Sequence, residues 1–300
     1  MLNKILLKLD NKGIIRLKDE NYLKLKYHYI INKKLNLDNP ITFNEKLQWL
    51  KMYNRKKIYT DMVDKYEVKK IVAKIIGQEY IIPTLGIYDK FEEIDFDKLP
   101  EQFVMKCTHD SGSVVICREK NKFDKEKARE KLDRAQKNNF YYAGREWPYK
   151  NVKPRIIIEK YMREEGKEDI TDYKLMCFNG NVKCSFVCLN RNSKNGMNID
   201  FYDRDWNKMP FERGHYKNSG YTMNRPENYN LMIKLAEKLS IDIPFVRVDF
   251  YEIDKKVYFG ELTFFPGSGF EEFNPQEYDK ILGDWIELPT KKVLEEENEK

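Results

Sequence analysis

The sequence has 300 residues, 41% hydrophobic and 35% charged, with 55 basic and 49 acidic side chains for a formal net charge of +6. This is the composition of a globular chain with one large or two modest domains, and it excludes a disordered one. The positive excess is mild and well mixed, which suits an anionic small molecule or an acidic glycan but lacks the dense basic stripe of a nucleic-acid binder.

Residues 1 to about 60 read as helical and lysine-rich. The first thirteen are too short and too charged for a secretory signal, and no apolar run approaches the ~18–20 residues of a membrane span. A cytoplasmic location is expected, with peripheral docking of the basic first segment on a membrane left open. Thr42 before Phe43, Asn44 and Glu45 is a capping-box start. Asp64 to Ile76 repeats apolar residues at helical spacing and closes on Gly77. Tyr80 to Gly86 reads as a short strand ended by Pro83.

From there strands dominate. Residues 103–107 and 114–117 form a hairpin around the small-residue tip His109-Asp110-Ser111-Gly112-Ser113. A charged, solvated helix is expected over 120–137, and a strand over 155–161. Residues 173–178 and 182–189 flank Asn179-Gly180, a strong hairpin signal. A helix covers about 227–239, and 245–251 pairs with 256–263 across a short turn. Five cysteines (Cys107, Cys117, Cys177, Cys184, Cys188) include no CxxC pair and sit in apolar runs, so they read as buried free thiols. Helices and antiparallel hairpins in this order argue for an α+β architecture of two lobes with a cleft between them.

The last hairpin carries the clearest chemistry. Asp249 and Glu261 lie on adjacent strands, where two carboxylates facing one cleft would suit Mg²⁺ bearing nucleotide phosphates. Arg247, two residues before Asp249, points to the same face. The turn Pro266-Gly267-Ser268-Gly269 follows, its backbone N–H groups able to approach an oxyanion. The plainer alternative is a surface hairpin with solvated charges. Lys106 sits inside an apolar strand and needs an anion, either a phosphate or a structural carboxylate. No GxxxxGK[ST] and no GxGxxG occurs, so nucleotide binding would follow another scheme.

That scheme resembles the ATP-grasp superfamily and, more closely, its TupA-like branch, associated with teichuronopeptide and other surface-polysaccharide gene clusters. The resemblance covers nearly the whole chain. Its specific stretches are NPITFNEKLQWLK at 39–51, Asp64-Lys65-Tyr66, FVMK at 103–106 and FGELTFFPGSG at 259–269. It implies a helical N-terminal extension (1–60) and an ATP-grasp domain (61–300), with a small nucleotide-covering lobe at about 100–158 and a larger metal and substrate lobe at about 159–290. Lys65 and Lys106 would contact ATP phosphates, with Ser111, Gly112 and Ser113 as the covering loop. Glu159 would take the adenine amine, with the backbone of Lys160 and Tyr161 beside it, and Asp172 is a possible ribose ligand. Lys174, Arg191 and Arg247 would steady the transferring phosphoryl group. Asp249 and Glu261, with Thr263, would hold one or two Mg²⁺. Thr263 stands where the superfamily usually has asparagine, which weakens the hold on a second ion, and Asp110 is an unusual anion in the loop.

The implied activity is ATP-dependent carboxylate–amine ligation through an acyl phosphate, adding an amino acid or amine to an acidic sugar or other carboxylate of a surface polymer. Peripheral association with membrane-bound polysaccharide machinery would fit, and nucleic acid would not be a partner. A glycosyltransferase is the main rival, through the DxD strings Asp95-Phe96-Asp97 and Asp203-Arg204-Asp205. An ATP-grasp kinase and a catalytically dead nucleotide-binding module are the others. Of the three histidines, His109 is the one placed to touch a ligand. The aromatic run 141–149 reads as sugar stacking or as packing, and Glu212-Arg213-Gly214-His215 as a solvated turn or an acceptor loop.

Overall fold

The chain lays down helices first and then two antiparallel sheets; the computed structural model describes residues 2–163, 170–190 and 196–290. Helices α1 (Leu2–Asn11), α2 (Asp19–Ile31), α3 (Phe43–Tyr53), α4 (Ile58–Val63) and α5 (Glu67–Ile76) come first. The capping box of α3 forms: Thr42 Oγ1 accepts from Glu45 N at 3.3 Å and Glu45 Oε2 accepts from Thr42 N at 3.1 Å. Strand β1 (Thr84–Tyr88) begins after Pro83 rather than ending there, and Gln78–Tyr80 form a 3-10 turn. Proline has no N–H to give a ladder, but its carbonyl accepts from Lys160 N at 3.0 Å and so leads the chain into the sheet edge.

Strands β2 (Phe103–Cys107) and β3 (Val115–Cys117) follow, then α6 (Lys125–Gln136), α7 (Tyr141–Gly144) and β4 (Ile156–Lys160). Helix α6 starts later than the charge pattern suggests because Asp124 caps it, accepting from Lys127 N at 3.0 Å. The first sheet has the order β1-β4-β2-β3. Alternation along β2 buries Phe103, Met105 and Cys107 against α6 in a small core of their own and turns Val104 and Lys106 to the other face.

The second sheet is built from β5 (Asp172–Phe178), β6 (Asn181–Leu189), β7 (Asn198–Asp203), β9 (Phe245–Ile253) and β10 (Lys256–Thr263), in the order β10-β9-β5-β6-β7. Between β7 and β9 come β8 (Glu212–Arg213) and α8 (Tyr229–Leu239); β11 (Phe273–Asn274), which pairs with β8, and α9 (Glu277–Asp284) close the fold. Both hairpin tips use two positive-φ residues, Asn179-Gly180 and Asp254-Lys255, the geometry that matches strand twist. Tyr22, Leu23 and Tyr27 of α2 and Phe43, Leu47 and Leu50 of α3 share the core of this larger sheet. All five cysteines are free.

Candidate active site

The two sheets face one another across a cleft of about 310 Å³. Val104, Lys106 and Ile116 line it from the small sheet, and Tyr251, Phe259 and Gly260 from the large one. Lys160 and Tyr161, where β4 ends, close one side.

Lys106 finds its anion inside the protein. Its Nζ lies 2.5 Å from Glu159 Oε2, across the register pair of β2 and β4 that sets Val104 against Glu159. Lys69, in the first turn of α5, pairs with the other Glu159 oxygen and donates to the carbonyl of Ile82 at 2.7 Å. Burial opposes the charge on Glu159, yet the two lysines outweigh it and hold the carboxyl below its ordinary range. The Glu159 side chain is therefore engaged by two cations, while the strand backbone beside it faces the cleft. Lys69 was missed from sequence; its place on the amphipathic run just after Asp64-Lys65-Tyr66 was the available signal.

Lys65 reaches the hairpin tip, donating to the carbonyl of Asp110. Burial pushes its ammonium down against the fields of Glu261 and Asp110. Ser111 and Gly112 stand out in solvent, and Gly112 has a φ of 100° with open space around it. Ser113 turns inward: its hydroxyl donates to Asp110 Oδ1 at 2.6 Å and accepts from Cys107 N at 2.8 Å. Asp110 thus shapes the loop from within. His109 is buried, its Nε2 against the carbonyls of Ala135 and Asn138 at 3.2 and 3.1 Å, so it packs on the end of α6 and does not face the cleft.

On the large sheet the pairing register makes a cross-strand row: Phe186 on β6, Lys174 on β5, Asp249 on β9 and Glu261 on β10. A bulge at Gly260 brings Glu261 opposite Asp249; a Cβ on Gly260 would lie 3.1 Å from the Asp249 carbonyl. Arg247 donates to Asp249 from Nε and Nη2, both at 2.6 Å, and to Glu261 Oε1 at 2.5 Å. Lys174 Nζ lies 2.5 Å from Asp249 and 2.6 Å from Asp172. Burial disfavours charge at all of these, but the opposite charges prevail: Asp249 is held below the ordinary carboxylate range, and Lys174 and Arg247 above their own. Thr263 donates to Glu261 Oε1 at 3.1 Å. Asp172, the expected ribose ligand, is brought against Lys174 in this row. Arg191 lies outside the described residues.

The donor set suits a hard cation. Asp249 Oδ1 accepts a single bond, and the Glu261 side chain is 44% exposed. Among the described residues no three His, Cys, Asp or Glu gather into a cage. Two carboxylates are what a Mg²⁺ carried by a nucleotide asks of a protein.

Behind Glu261 the turn Pro266–Gly269 runs through positive φ at Gly267, Ser268 and Gly269. Helix α3 grips it. Gln48 donates to the Gly269 carbonyl at 2.6 Å, and fully buried Lys51 donates to the carbonyls of Ser268 and Gly144, both at 2.7 Å. Asn44 holds the Glu271 carbonyl at 2.7 Å. Glu271 in turn pairs with Arg213, whose guanidinium lies 4.9 Å over the ring of Phe186. Arg213 is therefore held beside Arg247, which also lies over the Phe186 ring at 5.7 Å, while Gly214 and His215 are exposed. The aromatic run 141–149 packs against the N-terminal helices through Tyr141 and Arg145, and it carries Glu146 and Tyr149 inward. Both DxD strings are local caps: Asp95 accepts from Asp97 N, and Asp203 from Asp205 N and Asn207 N.

A family model described as TupA-like ATPgrasp matches residues 45–287. No curated protein matches the sequence. Among solved structures, the D-alanine–D-alanine ligase of Helicobacter pylori is 15% identical, covering 81% of this chain and 69% of its own, at a TM-score of 0.44. That of Bacillus anthracis complexed with ATP is 17% identical, with 79% and 68% covered, also at 0.44. The ATP-grasp ligase PsnB, complexed with a precursor variant, Mg and ADP, is 9% identical, with 85% and 65% covered, at 0.43.

Proposed function

The chain belongs to the TupA-like ATP-grasp family, and on that premise we propose that it is an ATP-dependent carboxylate–amine ligase acting through an acyl phosphate. The observation that carries this reading is the cleft lined by the half-buried Lys65, Lys69 and Lys106, together with the row Lys174–Asp249–Glu261 and Arg247 on the large sheet, whose neighbour Gly260 lines that cleft. ATP would place its adenine between Val104 and Ile116 above and Tyr251 and Phe259 below. With the Glu159 carboxylate committed to Lys69 and Lys106, the adenine amine falls to the backbone around Glu159, Lys160 and Tyr161. Lys106 and Lys65 would meet the phosphates, covered by Ser111 and Gly112.

Asp249, Glu261 and Thr263 would hold Mg²⁺, which supplies charge neutralisation across the phosphate oxygens. Lys174 and Arg247 carry fixed positive charge to the place where the γ-phosphoryl group moves. A carboxylate oxygen of the acid substrate attacks γ-phosphorus, and the bond to ADP breaks. The amine nitrogen then adds to the acyl carbon, the bond to phosphate breaks, and the amine proton is released. The protein's part is positioning and electrostatics, worth on the order of 7–11 kcal/mol for positioning alone. We place the reaction on a surface polysaccharide or its precursor, with an amino acid or amine as acceptor, the setting that the sequence resemblance implies.

The test is thermal stabilisation by ATP with Mg²⁺ against UDP-sugars with Mn²⁺. At ~100 times its dissociation constant a native-state ligand stabilises by about 2.7 kcal/mol. ATP should stabilise the wild type, and Lys106→Ala should lose the shift. Glu261→Ala should keep the fold and lose ADP release. A shift with UDP-sugars alone would sink the reading.

A further inference from the structure

The first helix leaves one face to solvent, and that face has a consistent chemistry. Lys4, Lys8 and Lys12 are exposed and spaced by four, so they stand one above another along α1 and the turn that continues it. Ile5 lies beside them, 49% exposed, and Ile14 in the following loop is 65% exposed. Lys18 and Arg16 add two further exposed cations, although Arg16 also donates to the Asp10 carbonyl at 2.6 Å and stacks 4.0 Å over the Tyr142 ring.

The sole acid between residues 2 and 18 is Asp10, which is fully buried and pairs with Arg145 at 2.8 Å. Five exposed cations therefore stand there without an exposed acid. On α6, by contrast, Lys127 pairs with Asp124 at 3.0 Å, and on the turn before it Lys122 pairs with Glu119 at 2.6 Å. The opposite side of α1 is anchored: Leu7 is buried in the main core, and Leu17 N donates to Asp10 Oδ1 at 2.7 Å. The outer face is thus held rigidly in place and is not needed for packing.

We propose that this face docks the protein on an anionic phospholipid surface, with the lysines at the headgroups and Ile5 and Ile14 reaching the acyl boundary. Charge complementarity selects an anionic partner, and the exposed isoleucines select a lipid over a nucleic acid, which has no use for them. No helix among the described residues is long and apolar enough to cross a membrane.

The test is cosedimentation of the full chain with vesicles of phosphatidylglycerol and phosphatidylcholine, and with phosphatidylcholine alone. Binding is expected to the anionic vesicles only. The triple variant Lys4→Gln/Lys8→Gln/Lys12→Gln should bind on the order of 100-fold more weakly, at about fivefold per cation. Ile5→Ser/Ile14→Ser should weaken binding about tenfold or more. All five sites are on the surface, so melting temperatures should match the wild type. An equal-charge control, Lys122→Gln/Lys125→Gln/Lys127→Gln, should bind like the wild type. No binding to anionic vesicles overturns the proposal. So does an equal loss in the control variant, and so does undiminished binding by the isoleucine variant, which would mark a general polyanion surface.

Discussion

Thr263 gives its hydroxyl proton to Glu261 Oε1, so one oxygen serves both as donor to a carboxylate and as candidate ligand. An asparagine there would present a carbonyl oxygen with no proton of its own. Under the proposed metal role, Thr263→Asn should lower the Mg²⁺ concentration needed for the ATP-induced thermal shift about fivefold, at ~1 kcal/mol for one added ligand. An unchanged requirement would remove Thr263 from the site. Lys26 offers a second residue-scale expectation. Burial beside the rings of Tyr22 and Phe270 lowers its ammonium from 10.5 to about 8, with the field of Glu146 opposing the shift. Between those values the unfolded chain binds more protons than the folded one, so stability rises with pH there. The penalty is fully present below about 8 and relieved above it. Lys26→Met should therefore be more stable than the wild type at neutral pH by about 1–2 kcal/mol, with the advantage shrinking toward pH 10 in urea unfolding. A pH-independent difference would show that Lys26 does not titrate there.

At the scale of elements, α3 and the turn after β10 act as one piece. Asn44, Gln48 and Lys51 are spaced four and three apart, so a single helix face carries three polar side chains into the core, all reaching 268–271 or its neighbours. Glu146 is buried beside them, pushed above the ordinary carboxylate range by burial although Lys51 opposes it, and it accepts from the Ser268 hydroxyl. Lys51→Met should cost about 3 kcal/mol, because Gln48 Oε1 and the carbonyls of Gly144 and Ser268 lose their donor and Glu146 loses the cation that acts on it most strongly. Adding Glu146→Gln should recover part of that loss in urea unfolding; a strictly additive double variant would mean the two do not interact. This piece was half legible in the sequence. The stretch 39–51 stood out, and the capping box fixed where α3 starts, but its partner lies more than two hundred residues on. The hairpins at Asn179-Gly180 and at 245–263 were legible because turn chemistry and alternation are local. Strand β7 was not: its Asp200 is buried, tied to Lys208 at 2.9 Å and to Ser219 N at 2.8 Å, and a buried acid reads from sequence as a polar loop. For Lys106 the sequence offered a phosphate or a structural carboxylate, and the carboxylate that lies beside it, Glu159, is fifty-three residues away and met only through strand pairing.

At the scale of the whole molecule, the question is where the folding unit begins. The family match starts at residue 45, inside α3, while α1 and α2 precede it. Tyr22 and Leu23 are fully buried and Tyr27 and Ile31 nearly so, all in the core of the large sheet. The Tyr22 hydroxyl also donates to the Ala143 carbonyl at 2.9 Å, and Arg145 stacks 4.0 Å over its ring. At ~1.5–3 kcal/mol per large apolar side chain, removing these four residues loses roughly 6–12 kcal/mol. A whole domain is stable by only about 5–15 kcal/mol. A fragment of residues 41–290 should therefore fail to give a cooperative thermal transition. A fragment of residues 12–290 lacks α1 alone. It leaves the buried Arg145 without Asp10 and should fold with a clearly lowered midpoint. Circular dichroism melts of the two fragments against the full chain decide the matter. A sharp transition in the 41–290 fragment would make α1 and α2 an appendage to a self-sufficient domain. Its absence would make them part of the scaffold that holds α3, and through α3 the turn beside Glu261.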